Sequence, residues 1–474
     1  MAPRSHVCCV PFPGAGHAVN MFNIAVTLAN PNMPVHTFVL SRREAEKWLA
    51  ATGQSKNDYV TIEVLADGKW EDWHADQAMD YFRLLQSPEF STAVEAAVLA
   101  VEEAFPEDVC AALVFNPTMG SLGSVASRRG LRPYLLVPTP YYMIRVGSCH
   151  SEGVPLTTKH LLNGIGGSET PVEVEVGDAM DLTTPMWYQV IKPLFENSAG
   201  LIYSNTNIGL EGGEFQQPHL PTRNDALKPV FMVGPILPQW YENALEDPTA
   251  KDEYLAKAAE KDPCIQFLDA HQPKSVVYIA LGSHVELEQW QAEAIIKNLR
   301  KHNVRWILLY RNDTQSMRQA LGGDDIHDGV VTPWAPQLEI MMHSAIKCVL
   351  SHGGFGTMVE GVYAGQCFIT SPCASDQFID SKVMLNLGIS LGTLAVNKHV
   401  SVAQMPKMVP IWSDDSGKHV EKLFDHVFGT SDGDRALQTA REASLALRRR
   451  MKEAKMQDGV TRLEDLRKDI TSVS

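Results

Sequence analysis

The chain has 474 residues, more than a single hydrophobic core usually organises, so two domains of roughly 200 residues each are expected. Its composition, 45% hydrophobic and 20% charged, is typical of a globular protein and argues against disorder. The formal net charge of -15 would repel phosphate backbones and anionic lipid headgroups. We therefore expect a small-molecule partner, and neither nucleic acid nor a membrane.

The cysteines and the apolar segments indicate the compartment. The eight cysteines show no CxxC or paired metal spacing, which predicts reduced, buried thiols. The apolar stretch near the amino terminus is short and is broken by Pro11 and Pro13, and no later segment approaches ~18 uninterrupted apolar residues. We expect a cytoplasmic protein without a membrane anchor.

Short runs rich in Val, Ile and Leu, each followed by a longer amphipathic stretch, recur along the chain, which is typical of parallel βαβ units. In the first half the predicted strands are Val7–Phe12, Val35–Leu40, Val60–Leu65, Ala111–Phe115, Tyr134–Val137 and Leu201–Tyr203. In the second half they are Val276–Leu281, Trp306–Tyr310, Val330–Thr332, Cys348–Leu350 and Phe368–Thr370. Two doubly wound sheets follow from this pattern.

Between the two series of predicted strands, the alternation of apolar runs and amphipathic stretches gives way to a polar stretch. This stretch predicts a linker at 241–262. We therefore expect an amino-terminal domain at 1–240 and a carboxy-terminal domain at 263–455. The tail continues as a charged helix pattern interrupted at Gly459, so 456–474 is expected to be a helix that crosses back to the first domain.

A 44-residue window, WAPQLEIMMHSAIKCVLSHGGFGTMVEGVYAGQCFITSPCASDQ, runs from Trp334 to Gln377. Its polar groups fall at strand ends and helix starts, which are the binding positions of a parallel sheet. In Ser351–Thr357 a predicted strand ends, glycines let the backbone approach a ligand, and a helix begins near Gly354. Backbone N–H groups at such a start favour an anion, so a diphosphate would fit there.

This window resembles the signature of the inverting UDP-dependent glycosyltransferases of the plant natural-product type, family 1, which begins with Trp and ends in Asp-Gln. The resemblance implies a GT-B fold of two facing Rossmann-like domains with an interdomain cleft. It implies that Trp334 stacks on uracil, that Ala335 contacts the base through its backbone, and that Gln337 and Glu360 hold the ribose hydroxyls.

The resemblance also implies the remaining contacts. The residues facing the phosphates would be Ser283, His352, Gly354, Gly356 and Thr357. Those near the donor sugar would be Thr139, Phe355, Asp376 and Gln377. Gln377 favours glucose, and galactose, xylose and N-acetylglucosamine stay open as alternatives. Those lining the acceptor site would be Phe12, Tyr81, Tyr141, Tyr142 and Met143. UDP-sugar is a co-substrate here, and neither a metal nor another cofactor is expected.

The family places its catalytic histidine at the start of the first helix, where this chain has His17. Imidazole titrates near neutral pH and could take the proton of the acceptor. The family usually orients this histidine with an aspartate after the fourth strand, whereas this chain has Asn116. An amide oxygen could fix the tautomer but could not offset the imidazolium charge. We expect a weaker base, together with either an acidic acceptor such as a phenol or flavonoid or another carboxylate that reaches the site.

The window itself departs from the plant pattern, because His-Gly-Gly-Phe-Gly-Thr at 352–357 replaces His-Cys-Gly-Trp-Asn-Ser. Gly356 lacks a side chain to contact phosphate, and these departures favour a fungal or bacterial lineage. Simpler interpretations exist for single residues. His17 and Asp376 could be helix-start residues, and His352 and Trp334 could belong to the core.

The sequence thus predicts a UDP-glycosyltransferase that moves a hexose, preferably glucose, onto a small acceptor. Two alternatives stay open. A catalytically weak UDP-sugar-binding protein would bind the donor without acceptor-dependent turnover. A UDP-sugar epimerase of the same architecture would interconvert sugar nucleotides without any acceptor.

Overall fold

A computed structural model describes most of the chain. The described residues are 3–12, 15–42, 44–46, 57–65, 70, 83–144, 146, 155, 157–178, 192–212, 219–220, 228–282, 285–311, 313–373, 376–394, 396, 409–412 and 417–472.

The strands in this part of the chain alternate with helices, as expected for parallel βαβ units. The strands are β1 (Ser5–Val10), β2 (Val35–Val39), β3 (Val60–Val64), β4 (Val109–Phe115), β5 (Arg132–Leu136), β6 (Lys159–Leu162), β7 (Val172–Glu175), β8 (Gly200–Tyr203), β9 (His219–Leu220), β10 (Lys228–Met232), β11 (Val276–Ala280), β12 (Arg305–Leu309), β13 (Gly329–Thr332), β14 (Ile346–Ser351), β15 (Phe368–Thr370) and β16 (Ser390–Thr393).

The helices range in length from 4 to 24 residues. They are α1 (Ala15–Leu28), α2 (Pro88–Ala104), α3 (Ser121–Arg129), α4 (Lys192–Asn197), α5 (Ile208–Glu211), α6 (Gln239–Glu246), α7 (Pro248–Ala259), α8 (Pro263–Asp269), α9 (Gln289–Lys301), α10 (Thr314–Ala320), α11 (Gln337–Met342), α12 (Phe355–Tyr363), α13 (Gln377–Asn386), α14 (Lys418–Gly429), α15 (Ser431–Ala454) and α16 (Val460–Thr471). None of the helices in the described part is long and apolar enough to cross a membrane.

The chain forms two compact units, each with its own sheet. Unit 1 comprises Met1–Tyr141, Thr183–Gln239 and Met451–Ser474, and unit 2 comprises Tyr142–Leu182 and Trp240–Arg450. The sheet of unit 1 has the order β3-β2-β1-β4-β5-β8-β10-β9, and that of unit 2 has the order β13-β12-β11-β14-β15-β16. The predicted α/β class with two doubly wound sheets is confirmed.

The eleven predicted strands are all present, with ends shifted by one or two residues. Five further strands escaped the sequence analysis because they are short or carry polar residues: β6, β7, β9, β10 and β16. The antiparallel pair β6–β7 lies in unit 2, although its residues precede 240. The buried carboxylate of Asp178 accepts a hydrogen bond from Lys382 of α13 at 2.6 Å, which ties this hairpin segment to unit 2.

The stretch 241–262, expected to be a linker, is mostly helical. It contains most of α6 and all of α7, and it ends at the cap of α8. The side chain of Asp247 accepts a hydrogen bond from the Thr249 N–H, and that of Asp262 accepts one from the Cys264 N–H at 2.8 Å. Both aspartates precede a proline, and an N-cap Asp followed by Pro at the first helical position is a helix-start signal.

The tail beyond α15 belongs to unit 1. The helix pattern is interrupted by a π-helical turn at Lys455–Gly459 and resumes as α16, in agreement with the predicted break at Gly459. Leu466 and Ile470 are fully buried in the core of the first sheet. The carboxylate of Asp469 accepts hydrogen bonds from the Tyr134 hydroxyl at 2.5 Å and the Arg132 guanidinium at 2.9 Å. The tail therefore completes the first sheet's core.

The core of unit 2 packs around the fully buried Trp306 on β12. Trp306 pairs with Gly329 on β13, and its indole covers the bare backbone there. A Cβ at Gly329 would lie 2.1 Å from the ring, closer than any real contact. The glycine is therefore a packing requirement.

Gly329→Ala is expected to lower the free energy of unfolding by about 3 kcal/mol, because the indole has to move within a close-packed core. Urea unfolding followed by tryptophan fluorescence measures this. The matched control is Gly356→Ala, where a Cβ would meet nothing within 4 Å and the expected change is within about 0.5 kcal/mol. Equal midpoints for the two variants would contradict this packing account.

Candidate active site

The candidate donor residues lie at the carboxyl edge of the second sheet. The strand order reverses between β11 and β14, and ligands bind at such a switch point in open α/β sheets. Gly282 follows β11, Trp334 follows β13 and His352 follows β14. Because all six strands are parallel, their carboxyl ends meet at one edge, and the sequence-predicted donor residues come together there.

The imidazole of His352 lies against two glycines at this switch point. A Cβ on Gly282 would fall 2.7 Å from the ring, and a Cβ on Gly354 would fall 2.4 Å from its Nε2 atom. Gly282 also has a φ of 79°, a conformation that other residues rarely adopt. His352 is half-buried, and its Nδ1 lies 3.4 Å from the Ser351 hydroxyl. The two glycines thus form a slot for the ring, which argues against the core interpretation.

The helix α12 begins beside His352. Gly354 is its N-cap residue, and Phe355, Gly356 and Thr357 form its first turn. The first N–H groups of a helix have no partner within the helix, so they favour an anion. Gly356 leaves open space, since a Cβ there would meet nothing within 4 Å. The predicted diphosphate site therefore combines an imidazole, a helix start and an unfilled gap.

The two residues predicted to hold the ribose, Gln337 and Glu360, are hydrogen-bonded to each other. The Gln337 side-chain amide, at the start of α11, donates a hydrogen bond of 2.6 Å to the carboxylate of Glu360 on α12. Burial raises the pKa of Glu360 to about 7, and the hydrogen bond from Gln337 opposes that rise. The backbone oxygen of Glu360 accepts from the Tyr241 hydroxyl at 2.9 Å, which anchors α12 to α6.

The predicted base-stacking residue is the most exposed of the set. The side chain of Trp334 is 65% exposed, so it is not a core residue, whereas Ala335 is buried. The Thr332 hydroxyl donates to the backbone oxygen of Trp334 at 2.6 Å and fixes the chain at this turn. An indole face open to solvent suits a nucleobase.

The predicted sugar-binding pair starts helix α13. Gln377 is buried, and its side-chain oxygen accepts a hydrogen bond of 2.8 Å from the backbone N–H of Cys373. Because that N–H can only donate, the oxygen of the amide is fixed towards it. Asp376 makes no capping hydrogen bond to α13 through its side chain, which argues against the helix-cap interpretation.

The candidate catalytic residues lie at the corresponding switch point of unit 1. The order reverses between β1 and β4, which pair in parallel with Val10 opposite Phe115. Asn116 follows β4 directly and is buried. His17 lies in the first turn of α1 behind β1, and its side chain is outside the described part of the structure. The backbone alone therefore brings the two positions to one edge of the sheet.

The amide oxygen of Asn116, which the sequence analysis assigned to His17, is engaged elsewhere. It accepts a hydrogen bond from the Thr118 backbone N–H at 3.0 Å and another from the Thr118 hydroxyl at 2.7 Å. The sequence analysis missed Thr118 and also Gly282. The signals were available, because Asn-Pro-Thr is a turn sequence and a glycine directly after a strand marks a close backbone approach.

The other predicted contacts divide into three groups. Thr139 is half-buried just beyond β5, and Phe12 is buried beyond β1. Tyr141, Tyr142 and Met143 are buried as well, and the Tyr142 hydroxyl donates to Asp380 at 2.7 Å. Ser283 and Tyr81 lie outside the described residues. The donor contacts of Thr139 and Ser283 and the acceptor contacts of the other residues stay predictions.

Metal ligands and disulfides do not contribute to the described part of the site. Within the described ranges, no group of three or more His, Cys, Asp or Glu residues is arranged to hold a metal ion. The seven described cysteines are free thiols, and only Cys110 among them is not fully buried.

The chain is similar in sequence to known proteins. The family model described as UDP-glucoronosyl and UDP-glucosyl transferase matches residues 253–404. The Arabidopsis thaliana protein UDP-glycosyltransferase 87A2 is 24% identical over 402 residues, which cover 80% of each chain. Because this relative is a plant protein, it gives the expected fungal or bacterial lineage no support.

Two solved structures resemble the chain along nearly its whole length. Phytolacca americana UGT2, solved with UDP-2-fluoro-glucose and pterostilbene, has a TM-score of 0.70 at 17% identity and covers 98% of this chain and 99% of its own. A Polygonum tinctorium UDP-glucosyltransferase has a TM-score of 0.70 at 20% identity and covers 100% of both chains. These similarities confirm the predicted GT-B fold with two Rossmann-like domains.

If Glu360 holds the ribose hydroxyls, nucleoside binding should depend on pH. When ionised, its carboxylate accepts from hydroxyls through both oxygens, whereas protonation turns one oxygen into a donor, so affinity should rise as the pH increases through the Glu360 pKa of about 7. Calorimetry with uridine is suited to this, because uridine carries no phosphate that titrates near neutrality. Glu360→Gln should bind more weakly and remove the pH dependence. A pH-independent wild-type affinity would exclude Glu360 as the ribose ligand.

The gap at Gly356 predicts a gain of donor affinity. Gly356→Asn places an amide at the start of α12 without a collision, so UDP should bind about tenfold tighter if the side chain reaches the diphosphate. Gly356→Ala should leave binding unchanged, because it adds no donor. Gly354→Ala should weaken binding, since its Cβ would displace His352. Titration with UDP measures all three, and equal affinities would rule out a diphosphate site here.

Proposed function

We propose that this chain is a UDP-glycosyltransferase, which its family match over residues 253–404 and its similarity to UDP-glycosyltransferase 87A2 support. The proposed reaction transfers glucose from UDP-glucose, with inversion at the anomeric carbon, to an acidic hydroxyl of a small natural product such as a phenol. We place this reaction in the cytoplasm.

The observation that carries the proposal is the slot for His352 at the switch point of the second sheet. Its imidazole and the start of α12 offer N–H donors at one place, which suits the diphosphate of a nucleotide sugar. The same donors would stabilise the charge that develops on UDP as it leaves. Leaving-group stabilisation then comes from fixed dipoles, and we propose that the reaction needs no metal ion.

Glucose as the donor sugar is supported from two directions. The Gln377 oxygen accepts from the Cys373 N–H, and we propose that its NH2 group donates to sugar hydroxyls. The Phytolacca americana structure contains UDP-2-fluoro-glucose, and the Polygonum tinctorium enzyme is a UDP-glucosyltransferase. These two relatives support glucose as the donor sugar, but they do not identify the residues of this chain that contact it.

A phenolic or similarly acidic acceptor is supported by Asn116 and by the same two relatives. The Phytolacca americana complex contains pterostilbene, and the Polygonum tinctorium enzyme glucosylates indoxyl. The acceptor oxygen attacks the anomeric carbon while the bond to the UDP oxygen breaks, and its electron pair leaves with UDP. We propose that His17 takes the proton from acceptors that still carry one. Attack opposite the leaving group inverts the anomeric configuration.

Mass spectrometry of protein incubated with UDP-glucose and a panel of phenols, flavonoids and aliphatic alcohols tests this reaction. We expect hexose adducts on the phenols and flavonoids. His17→Ala should reduce transfer most for acceptors that keep their proton at the assay pH, since only those need a base. Donor binding without any modified acceptor would favour a UDP-sugar-binding protein. Consumption of UDP-glucose into another free sugar nucleotide would favour an epimerase.

A further inference from the structure

Two cysteines lie side by side on one face of the first sheet. The strands β1 and β4 pair in parallel, with His6 opposite Cys110. Opposite residues of neighbouring strands share a face of the sheet, and so do residues two apart along one strand. Cys8 therefore lies on the same face as His6 and Cys110. The sulfur atoms of Cys8 and Cys110 are 3.5 Å apart, so that one thiol can donate a hydrogen bond to the other.

An irregularity in the strand pairing lies beside these two sulfurs. The register passes from His6 opposite Cys110 to Val7 opposite Ala112, and it skips Ala111. An extra residue of this kind disrupts the ladder of hydrogen bonds locally. Since the sulfurs of a disulfide are about 2 Å apart, the two thiols would have to approach by about 1.5 Å. The movement is needed where the pairing of β4 is already irregular.

The two thiols have different surroundings. Cys8 is fully buried, whereas Cys110 is partly exposed. The hydrogen bond between them, together with burial, raises the pKa of Cys8. The same hydrogen bond lowers the pKa of Cys110, against the effect of its own partial burial. Because the thiolate is the nucleophilic form, Cys110 is the more reactive of the two, and Cys8 stays protonated beside it.

The other described cysteines lack this combination. Of the seven described thiols, Cys110 alone is not fully buried. Burial raises the pKa of Cys9 and Cys264 to about 12 and that of Cys367 to about 11. Cys9 follows Cys8 in the chain but belongs to the core on the opposite face of the sheet. Among these thiols, an oxidant should therefore react first with Cys110.

We propose that Cys8 and Cys110 form a reversible redox pair, in which a peroxide oxidises Cys110 and Cys8 converts the product into a disulfide. The Cys110 thiolate attacks one oxygen of the peroxide, the O–O bond breaks, and hydroxide leaves. The Cys8 sulfur then attacks the sulfur of the resulting sulfenic acid. The S–O bond breaks, and the departing hydroxide takes the Cys8 proton to form water. Two thiols are thereby oxidised and one peroxide is reduced.

The neighbouring thiol determines how far the oxidation proceeds. A cysteine that has no second thiol in reach can go on from sulfenic to sulfinic acid, which thiol reductants do not reverse. A disulfide is returned to two thiols by exchange with a thiol reductant, and transient redox-sensing disulfides of this kind occur in reducing compartments. Cys8 thus protects Cys110 from irreversible oxidation. This property is separate from the proposed sugar transfer.

Oxidation of the folded wild-type protein tests the pair. The full chain is treated with hydrogen peroxide, the remaining thiols are alkylated, and a tryptic digest is analysed by mass spectrometry. Trypsin cleaves after Lys and Arg, so Cys8 and Cys9 share the peptide 5–42, and Cys110 lies on the peptide 84–128. We expect a disulfide between these two peptides, and we expect dithiothreitol to separate them.

Two variants at adjacent positions of β1 assign the bond. Cys9→Ala should keep the disulfide, and Cys8 is then the only cysteine of the peptide 5–42. Cys8→Ala should lose it, and Cys110 should then accumulate sulfinic acid because no second thiol is in reach. Both positions are fully buried in the same strand, so a general loss of packing would affect the two variants alike.

Several outcomes would overturn the inference. One is an oxidised wild-type protein without a bond between the peptides 5–42 and 84–128. Another is a bond that persists in Cys8→Ala or disappears in Cys9→Ala. A wild-type bond that needs Cys149, which lies outside the described residues, would also overturn it, so Cys149→Ser should leave the bond unchanged. If Cys8→Ala fails to fold, Cys9→Ala still assigns the bond. The measurement detects a covalent bond and does not depend on whether the protein transfers a sugar.

Discussion

Parallel pairing of buried strands is the constraint on which the rest of this structure depends. The backbone groups of a buried strand need partners in the neighbouring strands, and a parallel neighbour can be reached only through a crossover. Every strand of the second sheet therefore ends at the same edge. Gly282, Trp334 and His352 are separated in sequence but share that edge because of this pairing. The candidate binding residues therefore lie at the carboxyl ends of the strands, where the backbone leaves the sheet.

Close approach of the backbone then shapes the donor site. The His352 ring fits only because Gly282 and Gly354 have no side chains in its way. Burial has a second effect on Glu360, whose carboxyl group is taken out of water and whose pKa rises to about 7. The hydrogen bond from Gln337 favours the ionised form, so the two predicted ribose ligands also tune each other.

At the carboxyl edge of the first sheet, the orientation of Asn116 depends on which groups donate hydrogen bonds and which accept them. Replacing a carboxylate by an amide changes one group from acceptor-only to a group with a donor end and an acceptor end. The acceptor end of Asn116 accepts from the backbone N–H and the hydroxyl of Thr118, a residue with no charge of its own. The orientation of the Asn116 amide thus involves a neighbour two positions along the chain.

The sequence by itself determined the α/β class, eleven of the strands, the Trp334–Gln377 window and the break at Gly459, because each depends on local periodicity or on residue type at fixed spacing. It did not reveal short strands such as β9 and β16, and polarity alone suggested a linker where Asp-Pro pairs start helices. Only the tertiary structure decided that the β6–β7 hairpin joins unit 2, that Gly282 and Gly354 enclose His352, and that the Asn116 oxygen turns to Thr118. These features depend on contacts between distant segments and on the direction of single hydrogen bonds, and neither is encoded in the pattern of polar and apolar residues.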